Sequence, residues 1–323
     1  MMAPEYYVFT GREGERIPRH INHVLIDKSR EFVPSGAFYQ HPNPLIRAYS
    51  GERHSNIPNI EELICHDGVE KIEREAFYNC PSLRWIIMPG VKVVETDAFT
   101  FCSALTYIEC GKLERIGAAA FRGCTSLSSV DLPSIKIVEA GAFSNCTNLI
   151  NAKFGKDLES IRRWAFEGCT SLERITLPLK DGIIADNDNI FGGCKKLNHI
   201  DLVEGVHETA AALLLEEWKN DMNEEIDSIS QILASAPAGN WRDDSGGKAR
   251  AMRTGIESVL RKIIHYKVEH HSMMDEAAAT IQLVLPQDIV RNNVLSFLEL
   301  PPHWFELEDH GGRRRLQRRR SVE

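Results

Sequence analysis

One string, Ala-Phe-x-x-Cys-x-x-Leu, recurs through this chain in a single register, and that recurrence limits the fold more than any other feature. The copies are Ala76-Phe77…Cys80…Leu83, Ala98-Phe99…Cys102…Leu105, Ala120-Phe121…Cys124…Leu127, Ala142-Phe143…Cys146…Leu149 and Ala165-Phe166…Cys169…Leu172. A sixth, Ile190-Phe191…Cys194…Leu197, lacks the Ala. Successive Phe residues lie 22, 22, 22, 23 and 25 positions apart. A near-fixed period of this size marks a solenoid, in which each coil buries its apolar face only against its neighbours. Such a chain offers long surfaces rather than closed pockets, which favours binding over catalysis.

The coil from Leu127 shows the local logic. Leu127, Val130 and Leu132 follow the spacing Leu-x-x-Ile-x-Leu, and Pro133 comes next. Val130 and Leu132 alternate with Asp131, so a short strand with one buried face is expected. Pro or Gly ends it here and at Pro89, Gly111, Gly155 and Pro178. A second apolar pair precedes each Phe, as in Leu113/Ile116, Ile135/Val138 and Leu158/Ile161. Phe77, Phe99, Phe121, Phe143, Phe166 and Phe191 should close the core of their coils. The Ala before most of them is small enough for a neighbouring backbone to come close. The register reaches upstream through Ile60, Leu63 and Cys65 and through Ile21, Val24 and Ile26. Between these coils, residues 39–59 read as an insertion in a surface loop.

These residues resemble the BspA-type leucine-rich repeat, Leu-x-x-Ile-x-Leu-Pro-x-x-Val-x-x-Ile-x-x-x-Ala-Phe-x-x-Cys, from about Ile17 to Leu202. The resemblance implies an α/β solenoid of short parallel strands. It implies no catalytic residues, since the repeat is a scaffold. The run Asp186 to Asn189 departs from the pattern, so a looser convex side is expected there.

Six cysteines, Cys80, Cys102, Cys124, Cys146, Cys169 and Cys194, recur at the turn. Zinc would need Cys-x-x-Cys or Cys…His pairs that close a tetrahedron, whereas one thiol per coil makes a line. Parallel side chains are poorly placed for disulfides. The expectation is a column of small buried thiols, accepting weak hydrogen bonds and suited to a reducing compartment. No metal or cofactor is expected. The net charge of −8 argues against wholesale nucleic-acid binding. Neither a signal peptide in Met1 to Arg16 nor a membrane span is apparent. A cytoplasmic protein is therefore expected.

The repeat stops near Leu202. Leu215, Met222 and Ile229, with Trp218, Ile226 and Leu233 on the same side, predict a helix over about 208–236. Ile256, Val259/Leu260, Ile263, Tyr266, His270, Met273/Met274, Ala277 and Ile281 predict a second over about 249–285. Together they read as an antiparallel hairpin that caps the last coil or, as the alternative, binds a partner as a coiled coil. The segment Leu285-Pro286…Leu298 resembles the first half of an F-box over about 14 residues. That resemblance implies a ubiquitin-ligase substrate adaptor as the alternative function. The cluster Arg313 to Arg320 reads as a solvated tail or as a nuclear-import signal, and is the place for any nucleic-acid contact. The expected organisation is 1–16 flexible, 17–204 solenoid, 205–311 helical and 312–323 basic tail.

On each strand the residues between the buried ones should face solvent. Trp85 and Tyr107 in adjacent coils, with Ile87, form an apolar patch that anchors a partner or, as the alternative, is covered by the 39–59 insertion. If that patch is covered, the binding surface is expected around Lys153, Arg174 and His199. With no phosphate loop, nucleophile elbow or metal motif in the sequence, the chain reads as a non-enzymatic scaffold that binds an unidentified protein on its strand face.

Overall fold

Six coils turn the alternation just described into two strands and a tight corner. The computed structural model describes residues 6–10, 18, 21–27, 31–38, 60–184, 189–203, 216–238 and 247–282. The segments 39–59, Leu285 to Leu298 and Arg313 to Arg320 lie outside them. In chain order the strands are β1 (Tyr6–Phe9), β2 (His23–Ile26), β3 (Phe32–Val33), β4 (Glu62–Cys65), β5 (Lys71–Ile72), β6 (Trp85–Ile87), β7 (Val93–Val94) and β8 (Tyr107–Glu109). They continue with β9 (Arg115–Ile116), β10 (Ser129–Leu132), β11 (Ile137–Val138), β12 (Asn151–Phe154), β13 (Ser160–Ile161), β14 (Arg174–Leu177) and β15 (His199–Leu202). Two helices follow, α1 (Glu216–Ser235) and α2 (Gly247–Gln282). The chain divides into one compact unit, Met1–Ser272, and a second, Met273–Glu323, of which the end of α2 is described.

All strand pairs are parallel. The first strands of the coils form a front surface and the second strands form a continuous back sheet, β13-β11-β9-β7-β5-β3. The front is two sheets, β1-β2-β4-β6-β8 and β10-β12-β14-β15. Pairing stops between Tyr107–Glu109 and Ser129–Leu132, where Ile108, Cys110, Val130 and Leu132 line the seam. The second apolar pair therefore makes a strand of its own in the six coils from β2 to β13. The described coils carry strands and turns on both sides, with no helix. The last back-sheet contact is a single bridge, Ile161 to Ile184, beside the departure at 186–189.

The corner is held by a third ladder. The amides of Glu75, Phe77 and Asn79 donate to the carbonyls of Thr96, Ala98 and Thr100, and Asp97, Phe99 and Phe101 repeat this with Ala118, Ala120 and Arg122. To aim these amides outward, the residue before each Ala-Phe pair takes a left-handed backbone, as at Asp97 (φ 56°) and Trp164 (φ 59°). So does the residue before each Cys, as at Asn79, Asn145 and Gly168. Gly and Asn tolerate this region well, whereas Trp164 and Phe101 bear strain there.

Inside the coils the Phe rings stack. Phe77 and Phe99 are 5.1 Å apart and inclined by 5°, and Phe121 and Phe143 are 5.5 Å apart and inclined by 6°. Phe38 extends the column upstream, 4.5 Å from Phe77. Phe166 and Phe191, 5.7 Å apart, end it. The near-parallel stacking follows from the strand spacing, which sets one ring per coil. The six turn cysteines are buried and free. Each thiol donates to the carbonyl of the preceding coil's Phe: Cys80 to Phe38 (3.3 Å), Cys102 to Phe77 (3.2 Å), Cys169 to Phe143 (3.1 Å) and Cys194 to Phe166 (3.1 Å). The thiols are thus donors, not the acceptors expected from the sequence, because the Phe carbonyl faces them in the corner.

Two further expectations need correction. Tyr6 to Phe9, expected within a flexible N-terminus, is a strand paired in register with His23 to Ile26. Its Tyr-Tyr-Val-Phe run is rich in strand formers, but no Ala-Phe-x-x-Cys follows to announce a coil. Met273, expected on the apolar stripe of the second helix, is 37% exposed. The buried stripe of α2 is Met252, Ile256, Val259, Leu260, Ile263, Tyr266 and His270.

The hairpin seats on the last coil. Ser230 of α1 bonds both backbone groups of Ile200 on the edge strand, receiving its amide at 3.3 Å and donating to its carbonyl at 3.5 Å. The amide of Gly193 donates to Ala238 at 3.1 Å. Lys248 is 4% exposed, and its ammonium donates to the carbonyls of Leu197 (2.5 Å) and Leu233 (2.9 Å), joining the coil to the C-terminal turn of α1. Burial holds that ammonium below the ordinary lysine range. Gly255 lets α2 approach α1, since a Cβ there would lie 2.9 Å from the Ile229 side chain. Lys262 pairs with Asp221 (2.9 Å) and Glu225 (2.8 Å), and Trp218 stacks on Tyr266 at 5.1 Å. A strand edge left open at β15 would pair with other chains, and the hairpin occupies it.

Candidate functional site

The outward residues of the front surface are set in rows by the parallel register. Across the first sheet one row is Tyr6, His23, Glu62, Trp85 and Tyr107. The row beside it is Val8, Leu25, Ile64, Ile87 and Glu109. Across the second sheet the rows are Ser129, Asn151, Arg174, His199 and Asp131, Lys153, Thr176, Asp201. Trp85 and Tyr107 are direct cross-strand partners, 41% and 49% exposed. Tyr6 and Val8 are 41% and 46% exposed, and Ile87 is half-buried. Side chains on one face of paired strands lie about 5 Å apart, so this is one continuous apolar and aromatic surface.

Its charges are unbalanced. Glu62 receives hydrogen bonds at one carboxylate oxygen, Oε2, from the Tyr6 hydroxyl (2.9 Å) and the His23 ring (2.9 Å). The tyrosine hydroxyl is held above its ordinary range by that hydrogen bond first. Glu109 receives the Tyr107 hydroxyl at 3.4 Å. The ten outward positions of this sheet include no Lys or Arg.

The second sheet is arranged differently. Arg174 makes two contacts to Asp201, at 2.8 and 2.7 Å, and His199 reaches the same carboxylate at 3.1 Å. Lys153 lies 3.8 Å from Asp131. Lys153, Arg174 and His199 are thus brought onto one face, as the sequence reading expects, but each faces an aspartate one coil away or on its own strand. Sequence reasoning missed the upstream end of the aromatic row, Tyr6 with Val8 and His23 with Leu25. The alternation in both tetrapeptides was the available signal. It also missed Phe101 and Trp164, exposed on the corner side.

The coils with their parallel strands, ladders and Phe column define a leucine-rich repeat solenoid. The profile of the BspA type leucine rich repeat region matches residues 51–135 and 114–216 in six copies, just over half of the 323 residues, and the chain belongs to that family. Among solved structures, a leucine rich repeat protein of T. pallidum is 28% identical over 46% of this chain and 73% of its own, with a TM-score of 0.43. A leucine-rich repeat protein from Bacteroides ovatus is 23% identical over 50% of this chain and 48% of its own, with a TM-score of 0.36. The pneumococcal vaccine antigen PcpA is 19% identical over 45% of this chain and 38% of its own, with a TM-score of 0.39. No curated protein matches. No described helix is long and apolar enough to cross a membrane.

Proposed function

We propose that the protein is a non-enzymatic scaffold that binds a protein partner on the strand face of its solenoid, centred on Trp85, Ile87 and Tyr107. The observation that carries this reading is the exposed Trp85–Tyr107 pair within a row of apolar neighbours. Exposed aromatics held on a rigid sheet lose little conformational freedom on binding and supply large contact areas. Lys153, Arg174 and His199 extend the face as a polar flank. A reducing, cytoplasmic setting belongs to the same proposal, supported by the register of six buried thiols. Burial pushes the thiols of Cys65 and Cys110 up to about 12, and this leaves them unreactive at neutral pH. The test is affinity purification from the source cell with wild-type and Trp85→Ala/Tyr107→Ala baits, compared by mass spectrometry. Partners lost from the variant, with melting temperature unchanged, support the reading. An unchanged partner set rejects it.

A further inference from the structure

We infer that the aromatic half of the front face recognises a segment carrying an arginine between apolar residues, with the guanidinium over Trp85 and paired to Glu62. The inference rests on the face proposed above and names the chemistry of its partner. Three observations carry it. Glu62 and Trp85 are direct cross-strand neighbours, and Trp85 is 41% exposed. Glu62 has a second carboxylate oxygen, Oε1, and its neighbours Tyr6 and His23 engage Oε2. They hold the carboxylate in place, and among the described residues no Lys or Arg pairs with it.

The third observation is the contrast with the second sheet. There the outward aspartates Asp131 and Asp201 each face a cation supplied by a strand of the same sheet, at 3.8 and 2.7 Å. Among the described residues Glu62 and Glu109 have hydroxyl and imidazole neighbours instead. The repeat can supply a Lys or Arg counter-charge on this face, whereas among the described residues of the aromatic half the His23 imidazole takes that place. The cation would then come from the partner. Arginine suits the place better than lysine: its planar guanidinium stacks on an indole face while donating in the plane to a carboxylate. Val8, Leu25, Ile64 and Ile87 form the adjoining apolar row and fit apolar residues on either side of the arginine.

The experiment uses fluorescently labelled full-length protein on a peptide array. The central residue is Arg, Lys, Gln or Glu, and the flanking residues are drawn from Leu, Val, Phe and Ser. The expected order is Arg, then Lys, then Gln, with Glu weakest. Glu62→Gln keeps the size and the contacts to Tyr6 and His23, and should weaken binding to the Arg peptides about tenfold, a charge-assisted pair being exchanged for a neutral one. Its binding to the Gln peptides should stay as in wild type. Added salt should narrow the Arg advantage. Equal binding of Arg and Gln peptides, a preference for Glu, an Arg advantage that survives Glu62→Gln, or no binding above background each overturns the inference. Trp85→Ala/Tyr107→Ala separates the two levels. If binding depends on these rings but not on the central charge, the face stands and the arginine does not. If binding ignores the rings, the face itself is rejected.

Discussion

The two halves of the front surface share a scaffold and differ in what they show to solvent. In the coils of Glu62, Trp85 and Tyr107 the closing rings are Phe77, Phe99 and Phe121. In those of Asn151 and Arg174 they are Phe166 and Phe191, in the same stacked column. The buried layer is repeated because every coil must fit its neighbours at strand spacing. The outward layer has no such obligation, so one half is aromatic with unbalanced carboxylates and the other is polar with its own ion pairs. In a solenoid, function is written in the residues the repeat leaves free.

The largest expected effect tests whether the buried layer is the same in both halves. Phe99→Ala under the aromatic half and Phe166→Ala under the polar half should each cost about 3–5 kcal/mol in chemical denaturation. A cost several-fold smaller on one side would break the equivalence. Next comes the outward layer. Trp85→Ala/Tyr107→Ala should weaken partner binding by about 2 kcal/mol or more per ring, with stability within about 0.5 kcal/mol of wild type. Lys153→Ala/Arg174→Ala should alter stability by only about 0–1 kcal/mol per pair lost, since exposed ion pairs contribute little. A large fall in melting temperature for the aromatic double variant would show that these rings are packed rather than presented.

A smaller effect probes the seat of the hairpin. Gly255→Val should force α2 away from Ile229 and cost about 1–3 kcal/mol, read by urea unfolding. Aggregation on size-exclusion chromatography should accompany it as the β15 edge opens. The smallest concerns pH. Hydrogen bonds from Tyr266 and Lys262 hold Asp221 below the usual carboxylate range, and those from Lys262 and Ser258 lower Glu225. Both carboxylates therefore ionise more readily folded than unfolded, so they add stability above the unfolded-state values and lose it as pH falls through the folded ones. Melting in acid should weaken the hairpin first, and Lys262→Met should flatten that dependence. An identical acid limb in wild type and variant would sever the link.

Much of this was legible in residues. The period of Phe77 to Phe191 marked the six signature coils and their buried strand positions, because a repeat must place like residues in like environments. Met222, Ile226, Ile229 and Leu233 gave the buried face of α1 by helical spacing. The left-handed positions at Glu75, Asp97 and Trp164 were hidden, since no residue type recurs there. The aromatic face was visible only in part. Trp85 and Tyr107 share a repeat position, but Tyr6 belongs to a coil that lacks the signature.

The sequence by itself determined the solenoid, the inward residues and the buried thiol line, all of which depend on local spacing repeated at a constant interval. Only the tertiary structure decided the rest. It joined Tyr6 and His23, 56 and 39 positions before the carboxylate they hold, to Glu62. It split the front into two sheets at the seam between Glu109 and Ser129, and it brought Lys248 onto Leu197, 51 positions away. The physical reason is the same throughout: a period specifies which face a residue takes, whereas neighbours across coils are set by how the coils stack and by what closes their ends.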